Sequence, residues 1–178
     1  MKICNRTIEI YTDRSKSSAI QVHGGWAVVV LEKTDDRIIM KEKISQHFKE
    51  RVTNNQMELI AIIKALHLAS TKYKDEKVKI YSDSAYCVNI CNDWIWGWSQ
   101  NNWTNSKGVT IENKEIVTLI WDYIQFPCGS WSIEKIPGHS GIIGNELADA
   151  LCTKNEAKFT EIIKKHNIWY TEMNLFEF

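Results

Sequence analysis

The sequence predicts an α/β fold: a mixed sheet of five strands with helices on both faces. Three observations predict it. Three strand-like segments come first, and strands and helices alternate after them. One of the three, Gly25-Trp26-Ala27-Val28-Val29-Val30-Leu31, is apolar almost without interruption, the pattern of a strand covered on both faces. Two further segments, Ile8-Glu9-Ile10-Tyr11-Thr12-Asp13 and Val78-Lys79-Ile80-Tyr81-Ser82-Asp83, each end on an aspartate, and sheets of this class gather their ligands beyond strand ends.

Taken in order, residues 6–13 form the first strand, and Arg14 to His23 is a polar loop. Gly25–Leu31 and Arg37–Ile44 pair as a hairpin through Thr34-Asp35-Asp36. From Thr53 to Thr71 the period turns helical, with Leu59, Ile62, Ile63, Leu66 and Ala69 as the apolar stripe and Glu58 beside it. A short buried strand ends at Asp83, and a helix covers Ser84 to Asn92. Residues 93–110 form a Trp-rich excursion, followed by a helix from Ile111 to Phe126 that Pro127 and Gly129 break. Trp131–Ile136 is the last strand, and a Gly-rich loop leads into a helix near Asn145. Residues 1–160 make one domain; 161–178 are a C-terminal tail that either packs back as a helix or stays mobile.

The 178 residues suffice for one domain with a core, and 44% hydrophobic with 25% charged residues is ordinary for a globular protein. No apolar run spans a bilayer, and the opening Met1-Lys2-Ile3-Cys4-Asn5-Arg6 lacks the apolar region of a secretory signal. An intracellular protein, in cytoplasm or nucleus and not secreted, is expected, with no membrane partner. The five cysteines form no metal-binding pattern and read as small buried hydrophobes in a reducing compartment. The zero net charge argues against a generally basic nucleic-acid coat, so a nucleic-acid substrate must be held by a local patch.

Asp13, Glu58, Asp83 and Asp149 are the candidate chemistry. Partly buried carboxylates brought together cannot all stay charged without cations, and hard oxygen ligands with open positions suit magnesium and phosphodiester cleavage. For any one of them the plainer reading is a solvated helix or strand end. Asp149, for example, reads equally as a first-turn acid favoured by the helix dipole. Four together leave that reading little room.

Tyr11-Thr12-Asp13, Thr53-Asn54-Asn55-Gln56-Met57-Glu58-Leu59, Tyr81-Ser82-Asp83-Ser84, and Pro137-Gly138-His139-Ser140-Gly141 with Gly144-Asn145-Glu146-Leu147-Ala148-Asp149 occur in that order. On these motifs, over roughly residues 6–157, the sequence resembles a type 1 ribonuclease H, the ribonuclease HI catalytic domain with its ribonuclease H-like fold. The resemblance implies an endonuclease that cuts the RNA strand of an RNA–DNA hybrid and leaves 5′-phosphate and 3′-hydroxyl ends. It implies two Mg2+ ions, with Mn2+ as a possible substitute. Asp13 would bridge both, Glu58 and Asp83 would complete one site, and Asp149 the other. His139 would assist proton transfer or product release, although a lone loop histidine is more often just exposed. A monomer is expected.

By the same resemblance Arg51, Thr53 and Asn113 match a pocket for a DNA phosphate, a guanidinium fork, a hydroxyl and an amide being suitable donors. Taken singly, Arg51 reads as an exposed cation and Thr53 as a helix N-cap, a role compatible with binding. Asn54 and Asn55 would read RNA 2′-hydroxyls, since an amide both donates and accepts. Tyr86, Trp94, Trp98 and Trp103 match aromatics of the DNA-strand channel, with Trp98 as the main contact and Trp94 and Trp103 chiefly packing. The excursion's plainer reading is a small satellite core.

The chain also departs from the family pattern. Arg14 stands where relatives commonly have glycine, and it either crowds the RNA or binds its phosphate. Ser99, Gln100 and Thr104 stand where relatives often have lysine, which implies weak hybrid binding and little processivity. Two other functions compete: a non-catalytic hybrid-binding module, and a DNA-directed nuclease of the same fold. Intact carboxylates argue against the first, and Asn54, Asn55 and the phosphate pocket against the second.

Overall fold

The computed structural model describes residues 6–15, 24–49 and 52–170. Strands β1 (Thr7–Arg14), β2 (Gly25–Lys33) and β3 (Ile38–His47) form an antiparallel meander. Helix α1 (Asn54–Ser70) then crosses over to β4 (Lys77–Ser82), which lies parallel to β1. Helices α2 (Ala85–Asn89), α3 (Ile95–Gln100) and α4 (Lys114–Gln125) lead to β5 (Ser130–Lys135), parallel to β4. Helices α5 (Ile143–Cys152) and α6 (Glu156–Lys165) follow, and a two-residue strand β6 (Trp169–Tyr170) closes the described chain.

Among the described residues the sheet has six strands, in the order β5-β4-β1-β2-β3-β6, so the expected five gain one. The extra strand pairs Ile39 with Trp169 and Met40 with Tyr170. Two residues cannot show a periodicity, which is why the sequence did not reveal it. Helix α6 runs across residue 160, where the sequence analysis ended the catalytic domain, and Ile168 beyond it is buried. The part of the tail up to Tyr170 is therefore helix and edge strand. Its last residues, 171–178, lie outside the described chain.

Alternation along the strands builds two cores. Ile8 and Ile10 of β1, Val28 and Val30 of β2, and Val78 and Ile80 of β4 face α1, whose Leu59, Ile62 and Leu66 are fully buried, together with Val117 and Ile120 of α4. Tyr11, Val29 and Leu31 face the other way, against Leu147 and Ala148 of α5. Strand β2 is buried on both sides, as its apolar run predicts. Burying each such aliphatic side chain stabilises the fold by about 1.5–3 kcal/mol.

The expected helix over Ser84–Asn92 and the excursion after it are one helical rod. Helix α2 passes through a π-helical turn at Ile90–Trp94 directly into α3, and irregular chain begins only after Gln100. The wider π turn leaves Ile90, Cys91 and Ile95 buried while Trp94 and Trp96 are exposed.

Candidate active site

The topology puts the first two acids together. Parallel pairing of β1 and β4 sets Thr12 opposite Ser82, so Asp13 and Asp83 leave the sheet side by side. Asp13 has the parity of Tyr11 and so belongs to the α5 side of the sheet, while only 5% of it is exposed. Its Oδ1 accepts the backbone N–H of Arg14 at 2.7 Å. Past Asp83, Ser84 caps α2 by accepting the N–H of Cys87 at 3.3 Å, which turns the chain away at that point.

Helix α1 delivers Glu58. Thr53 opens the helix with a capping box: its Oγ1 accepts the N–H of Gln56 at 3.2 Å, and its own N–H donates to Gln56 Oε1 at 3.0 Å. Glu58 follows in the next turn, 4% exposed, on the face packed against β1.

Helix α5 delivers Asp149. A Cβ placed on Gly144 would come within 2.1 Å of the Tyr11 ring, so glycine there lets α5 close down on β1. Asp149 is the seventh residue of α5, which removes the first-turn alternative. The loop before α5 carries His139, exposed, in the left-handed region at φ 50°. Ser140 Oγ donates to the carbonyl of Pro137 at 2.8 Å and holds that turn. A Cβ on Gly138 would lie 2.6 Å from Asp83 Oδ2, so the loop reaches Asp83 only because residue 138 is glycine.

Asp13, Glu58, Asp83, Asp149, His139 and Asn55 all line one cleft of about 900 Å³. Burial pushes the Asp13 carboxyl up to about 8, with the Asp83 charge adding most after it and Glu58 and Asp149 contributing further. Burial and the Asp83 charge push Glu58 up to about 7, and Arg14 pulls it partly back. Arg14 Nε lies 3.0 Å from Glu58 Oε1, out of line for a hydrogen bond, and Glu58 Oε2 is buried with no partner. Lys158 of α6 donates to Asp149 Oδ2 at 2.6 Å and lies 2.8 Å from Glu146 Oε2.

This donor set fits divalent cations. An orphaned buried carboxylate oxygen on Glu58 and a buried Asp13 whose charge is disfavoured are both relieved by a cation in the cleft. Among the described residues Asp13, Asp149 and Cys152 form a group whose ligand atoms all lie within 4.8 Å of one another. The sequence reading gave the cysteines no part near metal. Cys152 nevertheless stands three residues after Asp149 on the same helical face, a spacing that could have signalled it. Its thiol is pushed up by burial and by the Asp13 and Asp149 charges, and it donates to the Asp149 carbonyl at 3.2 Å. The cluster stays predominantly hard oxygen.

The residues expected to touch nucleic acid are distributed as follows. Arg51 lies outside the described residues. The Thr53 hydroxyl serves as the N-cap of α1, the role it was also read to have. Asn54 and Asn55 are half-buried in the first turn of α1, and Asn55 faces the cleft. Asn113 holds a left-handed backbone at φ 55° ahead of α4, and its Nδ2 donates to Tyr86 Oη at 3.4 Å, so these two expected DNA-side residues meet. Trp94, expected to pack, has its ring between Tyr86 at 6.2 Å and Trp98 at 5.8 Å, with 38% of the residue still exposed. Trp98 is half-buried against the main core, as is Trp103, which meets Trp121 edge-on at 6.3 Å.

Lys158 is the partner the sequence did not reveal. It sits nine residues beyond Asp149 on another helix, whose start is set by the Asn155 cap accepting the Lys158 N–H at 3.0 Å. His47 also reaches the cleft, its Nε2 2.8 Å from the Cys152 carbonyl.

Residues 5–157 match the RNase H family. A ribonuclease H of Orientia tsutsugamushi is 35% identical over 91% of this chain and 89% of its own. One from Caldanaerobacter subterraneus subsp. tengcongensis is 37% identical over 93% and 97%. Among solved structures, LC9-RNase H1, described as a type 1 RNase H with the type 2 active-site motif, superposes with a TM-score of 0.69 at 23% identity, covering 85% of this chain and 72% of its own. With most of its length matched in sequence and its fold shared, the chain belongs to the ribonuclease H family.

Proposed function

We propose that this ribonuclease H hydrolyses the RNA strand of RNA–DNA hybrids as an endonuclease, with Asp13, Glu58, Asp83 and Asp149 holding two Mg2+ ions. The observation that carries the reading is the convergence of these four acids on one cleft, two of them buried and pushed up toward neutral pH by burial and mutual repulsion. Such a cluster becomes fully charged at working pH only beside cations. When bound, a divalent pair supplies the charge that activates water and stabilises the leaving oxygen of a phosphodiester, with 5′-phosphate and 3′-hydroxyl products.

The chain's own residues do the rest. Asp13 and Asp83, fixed at adjacent strand ends, set the floor of the cleft, and Glu58 and Asp149 close it from opposite faces of the sheet. Asn54 and Asn55, where α1 begins, read ribose 2′-hydroxyls of the RNA strand. Arg51, Thr53 and Asn113 receive a DNA phosphate, and Tyr86 and the half-buried Trp98 and Trp103 offer aromatic faces to the DNA sugars. His139, exposed on its turn above Asp83, moves a proton at the leaving oxygen or eases product release. Cys87, Cys91, Cys128 and Cys152 are free thiols, which supports a reducing, intracellular setting. No helix among the described residues is long and apolar enough to cross a membrane.

The test is cleavage of an end-labelled hybrid by purified protein, with Mg2+ and with chelator, beside all-RNA and all-DNA duplexes. The reading requires Mg2+-dependent cutting of the RNA strand of the hybrid alone, lost in Asp13→Asn. An uncut hybrid, or an Asp13→Asn variant as active as the parent, refutes it.

A further inference from the structure

Arg14 is the last residue of β1, paired opposite Trp26, and its side chain enters the carboxylate cleft. Its backbone is tied down, because its N–H donates to Asp13 at 2.7 Å. The Arg14 side chain is only 23% exposed. Nε lies 3.0 Å from Glu58 Oε1 but off the hydrogen-bond line, and Nε and Nη1 are both buried without an acceptor. A guanidinium carries five N–H donors, and leaving one buried and unmet costs free energy. One misaligned carboxylate therefore does not account for this side chain.

Two further considerations say what would. On the functional reading above, Glu58 is a ligand of the cation site, so its hold on Arg14 weakens when the cleft is loaded. The acceptor that then enters the cleft is a phosphodiester, and the planar guanidinium fork matches two phosphate oxygens.

We propose that Arg14 is a substrate-binding residue that grips a backbone phosphate of the hybrid beside the carboxylate cluster. The proposal rests on the hybrid-nuclease reading and deepens it. Of the two roles left open by the sequence, crowding the RNA or binding its phosphate, the unspent donors favour the second. The protrusion is poor in lysine, so the loss of a single phosphate contact in the cleft is measurable.

The test is hybrid binding by fluorescence anisotropy with Mg2+, in an Asp149→Asn background that holds turnover down, from about 50 to about 200 mM salt. Arg14→Gln is expected to weaken binding about tenfold. It should also flatten the slope of log affinity against log salt by about 0.9, one phosphate contact. Arg14→Lys keeps the charge and should keep the slope, with affinity between the two. An unchanged slope in Arg14→Gln overturns the proposal and leaves Arg14 as a counter-ion to Glu58. Tighter binding overturns it in favour of crowding. If Arg14→Gln leaves Glu58 stranded and the protein unfolds, Arg14→Gln in a Glu58→Gln background asks the same question without the stranded charge. A parent protein that neither binds nor cuts hybrid fails earlier, at the functional reading, and the proposal falls with it.

Discussion

Asp13→Asn should make the metal-free protein more stable at high pH while abolishing its activity. In the folded protein the Asp13 carboxyl is pushed from 3.8 to about 8, first by burial and then by Asp83. Between those values the folded state holds a proton that the unfolded chain has released. Stability therefore falls as pH rises through this window and levels off above about pH 8. A rise of about four pH units is worth roughly 5 kcal/mol at the upper limit. Relaxation around a partly hydrated cleft reduces this to about 2–4 kcal/mol. Asparagine cannot ionise, and its Oδ1 can still accept the Arg14 N–H that Asp13 accepts at 2.7 Å. Thermal melts with chelator should show nearly equal Tm for the two proteins at about pH 4 and below, where the unfolded chain also keeps the Asp13 proton. Near about pH 9 the variant should melt roughly 5–15 °C higher. Mg2+ should stabilise the parent at high pH and the variant far less. A variant that melts lower at high pH, or whose advantage is the same at both values, refutes the claim that Asp13 is held against its own charge.

Other outcomes follow from single contacts. Lys158→Met removes the cation that donates to Asp149 at 2.6 Å, so calorimetry should show Mg2+ binding tightened by up to about fivefold, with a small loss of metal-free stability. Gly138→Ala forces a Cβ to within 2.6 Å of Asp83, so cleavage should drop by about tenfold or more with little change in Tm. Gly144→Ala drives a Cβ to 2.1 Å from the Tyr11 ring, and denaturant unfolding should record a loss of about 1–3 kcal/mol. Thr53→Ala removes the capping box of α1 and should cost about 1 kcal/mol in the same assay.

The sequence disclosed what periodicity and turn chemistry encode. Strand β1 lies within one residue of its expected ends, and α1 begins after Thr53 because a threonine with glutamine three residues on is a strong cap. The beginning of α5 was less legible. Its N-cap is Ile142, which has no side-chain cap, so nothing local marks the start and the place of Asp149 along the helix stayed open. The merging of α2 and α3 was hidden for a related reason: a π turn breaks the regular period that would have joined them. In the cleft, the acids stood out because each sits in a short motif of its own, Asp13 and Asp83 at strand ends and Glu58 and Asp149 within helices. Their cationic partners did not, since the Arg14–Glu58 and Lys158–Asp149 pairs join different elements and depend on packing that no local pattern reports.

The central claim is that four acids far apart in sequence hold a pair of divalent ions in one cleft. Anomalous diffraction from a crystal of the protein grown with Mn2+ and a hybrid tests it most directly. Two peaks sharing Asp13, one also touching Glu58 and Asp83 and the other Asp149, are predicted. Peaks elsewhere, or none in the cleft at full Mn2+ saturation, would contradict it.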